Sequence, residues 1–230
     1  MKIEVEWFYA YDEKDSSAID LLGIEPIPAL AFYADNKNAA MRRCPAHLDA
    51  LKNTYVVCSP IDYEIEINKE QQWLNVKHPA SLPPNFVNPR FNEEGDSPYP
   101  IFSLSFGEMV FSSPMHDAWM EQIDPLMEWE RKNKVRVIGG IFNIHRWVRP
   151  VQTSFEQQEK NITLSVKRGD PMFYIRFSSG DPKDIITIKK IVPSEEAVTD
   201  YQRNVTVKKF YPNASLSFLY KLRDKMLGRK

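Results

Sequence analysis

Apolar and polar residues alternate with a period of two through much of the chain, the spacing of a strand with one buried face. At the N-terminus Ile3, Val5, Trp7 and Tyr9 alternate with Glu4, Glu6 and Phe8. The clearest hairpin spans 62–76: Tyr63, Ile65 and Ile67 alternate with Glu64, Glu66 and Asn68, and Trp73 to Val76 return after a polar turn. The β-branched and aromatic run Thr54–Cys58 predicts a buried strand, and Ala29–Tyr33, entered through Pro26-Ile27-Pro28, reads as another. Ile101–Phe106 is a strand that Met109–Phe111 continues or pairs with, while 115–129 has no assignable period. Val135–Val137 and Ile141–Ile144 are strand-like around Gly139-Gly140. Ile162–Val166 and Met172–Phe177 predict a hairpin closed by Arg168-Gly169-Asp170, with glycine where a positive φ is easiest. Ile185–Ile191 is the last predicted strand.

Helical spacing is confined to a few places. A short helix is predicted over 45–52. Ser194 followed by Glu195 and Glu196 is a helix start, and Asn213 is the expected cap of a second helix reaching about Leu227. Strands do not alternate with helices, so a doubly wound fold is not expected. The pattern predicts a mainly β protein, sandwich or jelly-roll-like, with a helical C-terminal tail: a β-rich unit over 1–192 and a helical segment over 193–230. The stretch 78–100 carries Pro79, Pro83, Pro84, Pro89, Pro98 and Pro100 and reads as a long loop with extended pieces.

Composition narrows the partners. Lys+Arg number 30 against Asp+Glu 31, a net charge of −1 that gives no global attraction to nucleic acid or an anionic membrane. Basic residues gather at the C-terminus (Lys221, Arg223, Lys225, Arg229, Lys230), which reads as a solvated helix end opposing the dipole. Cys44 and Cys58 form no CxxC pair and read as two free, buried thiols. No signal-peptide pattern and no membrane-length apolar run is visible, so an intracellular setting is expected: the cytoplasm of an infected host, or a virion.

Candidate chemistry is sparse. His145-Arg146-Trp147-Val148-Arg149-Pro150 places a histidine, two arginines and a tryptophan on a strand end, a set able to bind an anion or stack a ring. The same residues also fit a strand with a core tryptophan and paired arginines. His116-Asp117 beside Trp119 is an acid–base candidate that fits a polar turn as well. His47 and Asp49 with His145 are the residue types of a mononuclear Fe(II) site, and Arg176 with Ser178 would then hold 2-oxoglutarate. Against this, His47 and Asp49 fall two apart on a predicted helix, facing different ways, and His145 lies far from Arg176 for that class. There is no glycine-rich phosphate loop and no GxSxG elbow.

The strings Cys44-Pro45-Ala46, Lys52–Val57 and Ser59–Tyr63, together with Trp147-x-Arg149-Pro150 and Lys167–Tyr174, have a further meaning. They resemble an uncharacterised family of hypothetical proteins from tailed phages infecting cyanobacteria, with distant bacterial relatives. The resemblance covers about residues 40–180 and brings no site residues. It implies a phage or phage-derived product. The leading expectation is a non-catalytic protein that acts by binding, in a virion or on a host component, without a cofactor. Its anchors are Trp147, Arg149, His145 and Trp119, and its partner is a protein, with a homo-oligomer also compatible. The alternative is the Fe(II)/2-oxoglutarate oxygenase on a double-stranded β-helix.

Overall fold

The computed structural model describes residues 1–10, 25–34, 44–68, 73–77, 88–91, 101–125, 134–159 and 161–228. Fourteen strands are found among them: β1 (Lys2–Tyr9), β2 (Ile27–Pro28), β3 (Thr54–Cys58), β4 (Tyr63–Asn68), β5 (Trp73–Lys77), β6 (Asn88–Phe91), β7 (Ile101–Ser112), β8 (Trp119–Ile123), β9 (Val135–Val137), β10 (Ile141–Asn143), β11 (Pro150–Gln157), β12 (Asn161–Val166), β13 (Pro171–Ser178) and β14 (Ile185–Lys190). The helices are α1 (Ala29–Phe32), α2 (Pro45–Leu51), α3 (Glu195–Phe210) and α4 (Leu216–Met226). The protein is mainly β, with a helix pair at its C-terminus.

The strands form three sheets. The first has the order β14-β1-β7-β11-β9, with β6 also on β7; the second is β10-β8-β13-β3-β2; the third is β12-β4-β5. The alternating strands bury one face each into a single apolar core: Val5 and Trp7 from the first sheet, Val57 and Met120 from the second, Ile65 and Leu164 from the third. This shared core makes the arrangement sandwich-like. The predicted continuation of Ile101–Phe106 through Met109–Phe111 is one twelve-residue strand.

Among the links between sheets, two corners are built from tight backbone geometry. β3 pairs with β13 in the second sheet and β4 with β12 in the third, both antiparallel. A two-stranded ribbon therefore bends where Ser59–Asp62 faces Lys167–Asp170. The bend is tied by Gly169 N–H to Ser59 O and Ser59 N–H to Asp170 O, both 2.8 Å, and by Arg168 N–H to the Asp62 carboxylate. Gly169 takes φ +89° as its turn requires. The expected hairpin between Ile162–Val166 and Met172–Phe177 is thus corrected: both strands exist, but they belong to different sheets. At the second corner β9 and β10 join the first and second sheets through Ile138-Gly139-Gly140. A Cβ on Gly139 would stand 2.0 Å from the Gln122 carbonyl, so only glycine lets this link cross β8.

Other expectations also change. Ala29–Phe32 is helix, not strand. Ala-Leu-Ala-Phe has no β-branched residue, Pro28 offers no ladder donor, and Ala29 packs on Val56 and Tyr174 behind the second sheet. The proline-rich stretch contains β6, paired with β7, while 78–87 and 92–100 lie outside the described residues. Trp119–Ile123, inside the stretch without a readable period, is strand. Ser194 caps α3 as expected, accepting from Ala197 N–H at 3.2 Å, but α4 is capped by Ser215 rather than Asn213. Cys44 and Cys58 form no disulfide; Cys44 is exposed and Cys58 half-buried, where both were expected to be buried. No described helix is long and apolar enough to cross a membrane.

Candidate functional site

The HRWVRP segment leaves β10 as a turn and enters β11 at Pro150, so Trp147 lies on a connection, not on a strand. Trp147 is 1% exposed and packs against Leu219 and Tyr220 of α4, with Val207 of α3 and Trp119 alongside. Its expected role as a surface anchor is therefore corrected: it fastens the helix pair to the β-sheets. Burial of so large a ring removes much apolar surface from water at this attachment.

Asn143 shapes the turn that presents Trp147. Its Oδ1 accepts from the backbone N–H groups of His145 (3.0 Å) and Arg146 (2.9 Å), and its backbone carbonyl accepts from Trp147 N–H. Its side-chain amide donates to Asp117, while its own N–H donates to the Tyr220 hydroxyl at 2.8 Å. Burial pushes the Tyr220 hydroxyl above the ordinary tyrosine range. The Arg146 guanidinium lies 5.1 Å over the Tyr220 ring and pairs with Asp224, and Asn204 of α3 donates to Val148 O at 2.9 Å.

A cleft opens at each end of the helix pair. At the first lie the N-terminus of α3, the C-terminal part of α4, and His145. Its volume is about 580 Å³ and its charged lining includes Glu6, Glu195, Glu196, Asp200, Arg203 and Arg223. His145 Nδ1 lies 2.8 Å from Ser113 O; a carbonyl only accepts, so Nδ1 carries the proton and Nε2 is the acceptor of the neutral ring. Arg223, 5% exposed, donates to Asp200 at 2.8 Å and to the His145 carbonyl at 3.3 Å, while Arg203 stands 3.6 Å from Asp200. Arg223 Nε finds no partner, but both terminal nitrogens are engaged.

The second cleft, of about 350 Å³, lies between the Ile138–Gly140 corner and the other end of the helix pair. Among the described residues of its lining Arg149 and Lys208 are the charged ones, and Phe142, Val151, Leu216 and Leu219 supply apolar walls. The Arg149 guanidinium sits 5.2 Å over the Phe142 ring. Gln122 also lines the cleft; it is 7% exposed and its amide nitrogen has no hydrogen-bond partner. Between the two helices, Phe210, Tyr211 and Phe218 are exposed at the hairpin tip.

The four expected anchors thus separate. His145 lines one cleft, Arg149 the other, Trp147 is buried between the helices and sheets, and Trp119 is half-buried beside it. The alternative metal set does not converge: His47 and Asp49 lie on α2, His145 is held at Ser113, and no group of three His, Cys, Asp or Glu side chains among the described residues is placed to hold a metal ion. Arg176 faces Glu121 across the β13–β8 ladder at 3.7 Å, and Ser178 is opposite Trp119. Gln122, Lys208 and Tyr220 escaped the motif reading, because their importance comes from which strand or helix they meet. Compared with protein-family models, curated proteins and solved structures, the chain matches none.

Proposed function

We propose that the chain is a non-catalytic binding protein, of the phage type that its sequence resembles, and that it docks a protein partner through the tip of its helical hairpin. The observation that carries this reading is the exposure of three neighbouring aromatics: Phe210 at 75%, Tyr211 at 46% and Phe218 at 45%. The Tyr211 and Phe218 rings lie 5.4 Å apart. Large rings held together in water gain most from a partner that covers them, and such residues dominate the energetics of interfaces. The surrounding chain is one-signed. Around the tip, residues 204–222 contain no carboxylate and carry Lys208, Lys209 and Lys221. An acidic surface bearing an apolar residue fits that tip, and the setting proposed for it is a virion or the cytoplasm of an infected host.

The test is a photo-crosslinking amino acid at position 210 or 218 of the full chain, with Thr163 on β12 as the control position, in extracts of infected host cells. A discrete acidic protein attached at 210 and 218 but not at 163 is the expected result. No adduct at the tip, or equal labelling at 163, would overturn the reading.

A further inference from the structure

The apolar surface of the hairpin tip does not end at Phe218. Phe218, Leu222 and Met226 stand four residues apart on α4, a single row along one side of the helix. Phe218 and Met226 are each 45% exposed, and Leu222 between them is half-buried. Leu219, Tyr220 and Arg223 form the face that packs on Trp147 and α3, so the row is a second apolar strip, open to water. At a rise of about 1.5 Å per residue it carries the surface of the tip about 12 Å along α4. Lys221 and Lys225 precede Leu222 and Met226 by one residue each and border the row along one edge. Both are exposed, and neither has an ion pair or side-chain hydrogen bond among the described residues. The helix dipole accounts for Lys225, in the last turn, but not for Lys221, a turn earlier.

We propose, resting on the docking reading above, that the partner segment is an acidic amphipathic α-helix lying along α4. Its apolar side covers Phe218, Leu222 and Met226, and its carboxylates face Lys221 and Lys225. A row at four-residue spacing is the ridge that fits between the ridges of another helix, and bordering cations select the charge of that helix. A second copy of the chain is the poorer occupant. It would set cations against cations, because Asp224, the carboxylate of α4, is already engaged by Arg146.

The probe is a fluorescently labelled synthetic peptide of about 18 residues, leucines at helical spacing and glutamates elsewhere, titrated with the full chain and read by anisotropy. One control peptide carries lysine in place of glutamate; another keeps the composition with its leucines out of helical spacing. The acidic helix is expected to bind saturably, with both controls at least about tenfold weaker. Lys221→Glu combined with Lys225→Glu should reverse the preference, weakening the acidic peptide about tenfold and tightening the lysine peptide, a gain that unfolding could not produce. Met226→Gln should weaken the acidic peptide about threefold or more, while Lys167→Glu, in the bend of the third sheet, should change nothing. Equal binding of the three peptides, no saturable binding, or an unchanged preference in the double lysine variant overturns the proposal, as does a dimer in sedimentation that Met226→Gln dissolves. An adduct at 210 and 218 without peptide binding sinks the helix and leaves the tip docking standing. No adduct at either position sinks the docking reading itself, whatever the peptide does.

Discussion

The clefts at the two ends of the helix pair are built from the same parts, the HRWVRP turn, α3 and α4, yet their polar groups behave differently. At the acidic end Asp200, Arg203, Arg223 and the His145 carbonyl bind one another. At the basic end the Arg149 guanidinium lies 5.2 Å over the Phe142 ring and Lys208 donates to the Pro212 carbonyl. Helix electrostatics explains part of the contrast. Glu195 and Glu196 in the first turn of α3 and Lys208 and Lys209 in its last oppose the helix dipole. The dipole does not explain Arg149, which comes from the β side and has no helix end to serve. At the acidic end charges from α3 and α4 pair with one another, whereas at the basic end each cation is held by its own neighbours.

Removing Trp147 should erase the comparison altogether. Trp147→Ala deletes the ring that joins α4 to the sheets, costs about 3–5 kcal/mol, and opens both clefts together. Chemical denaturation reads the loss, and amide exchange should rise first in α3 and α4. Arg223→Ala should break the acidic end alone. It leaves Asp200 without its buried partner at a cost of about 3 kcal/mol, while Gln122 and Arg149 keep their resonances.

Tyr220→Phe is a smaller perturbation that also carries a pH signature. It leaves the Asn143 N–H without its acceptor, for about 1–2 kcal/mol. Because burial raises the Tyr220 pKa in the folded chain, its contribution is complete below the unfolded value near 10 and is lost as pH rises from there through the folded value. The wild-type denaturation midpoint should therefore fall above about pH 10 more steeply than that of Tyr220→Phe, with the raised Tyr55 and Lys77 contributing to the remaining slope. Ser194→Ala should have the least effect, about 1 kcal/mol from the lost cap, confined to fraying of the first turn of α3.

Much of the fold was legible where side chains alternate. Tyr63–Asn68 pairs with Trp73–Lys77 as its pattern requires, and Ser194 with two following glutamates starts a helix. The Arg168-Gly169-Asp170 turn was legible locally but misleading globally, since turn residues set the backbone of the bend and not the sheet each strand then joins. Ala29–Phe32 was illegible for a related reason: a short apolar run suits a strand or a helix until its packing surface is known. The site was half legible. Arg149 stood out by composition, but the burial of Trp147 depends on α4, far along the chain.

The most direct measurement is hydrogen exchange of the Trp147→Ala chain against the wild type. Faster exchange over 195–210 and 216–226, with 3–9 and 54–58 unchanged, is the expected result. Unchanged exchange in both helices would contradict the role of Trp147 in fastening the helix pair to the sheets.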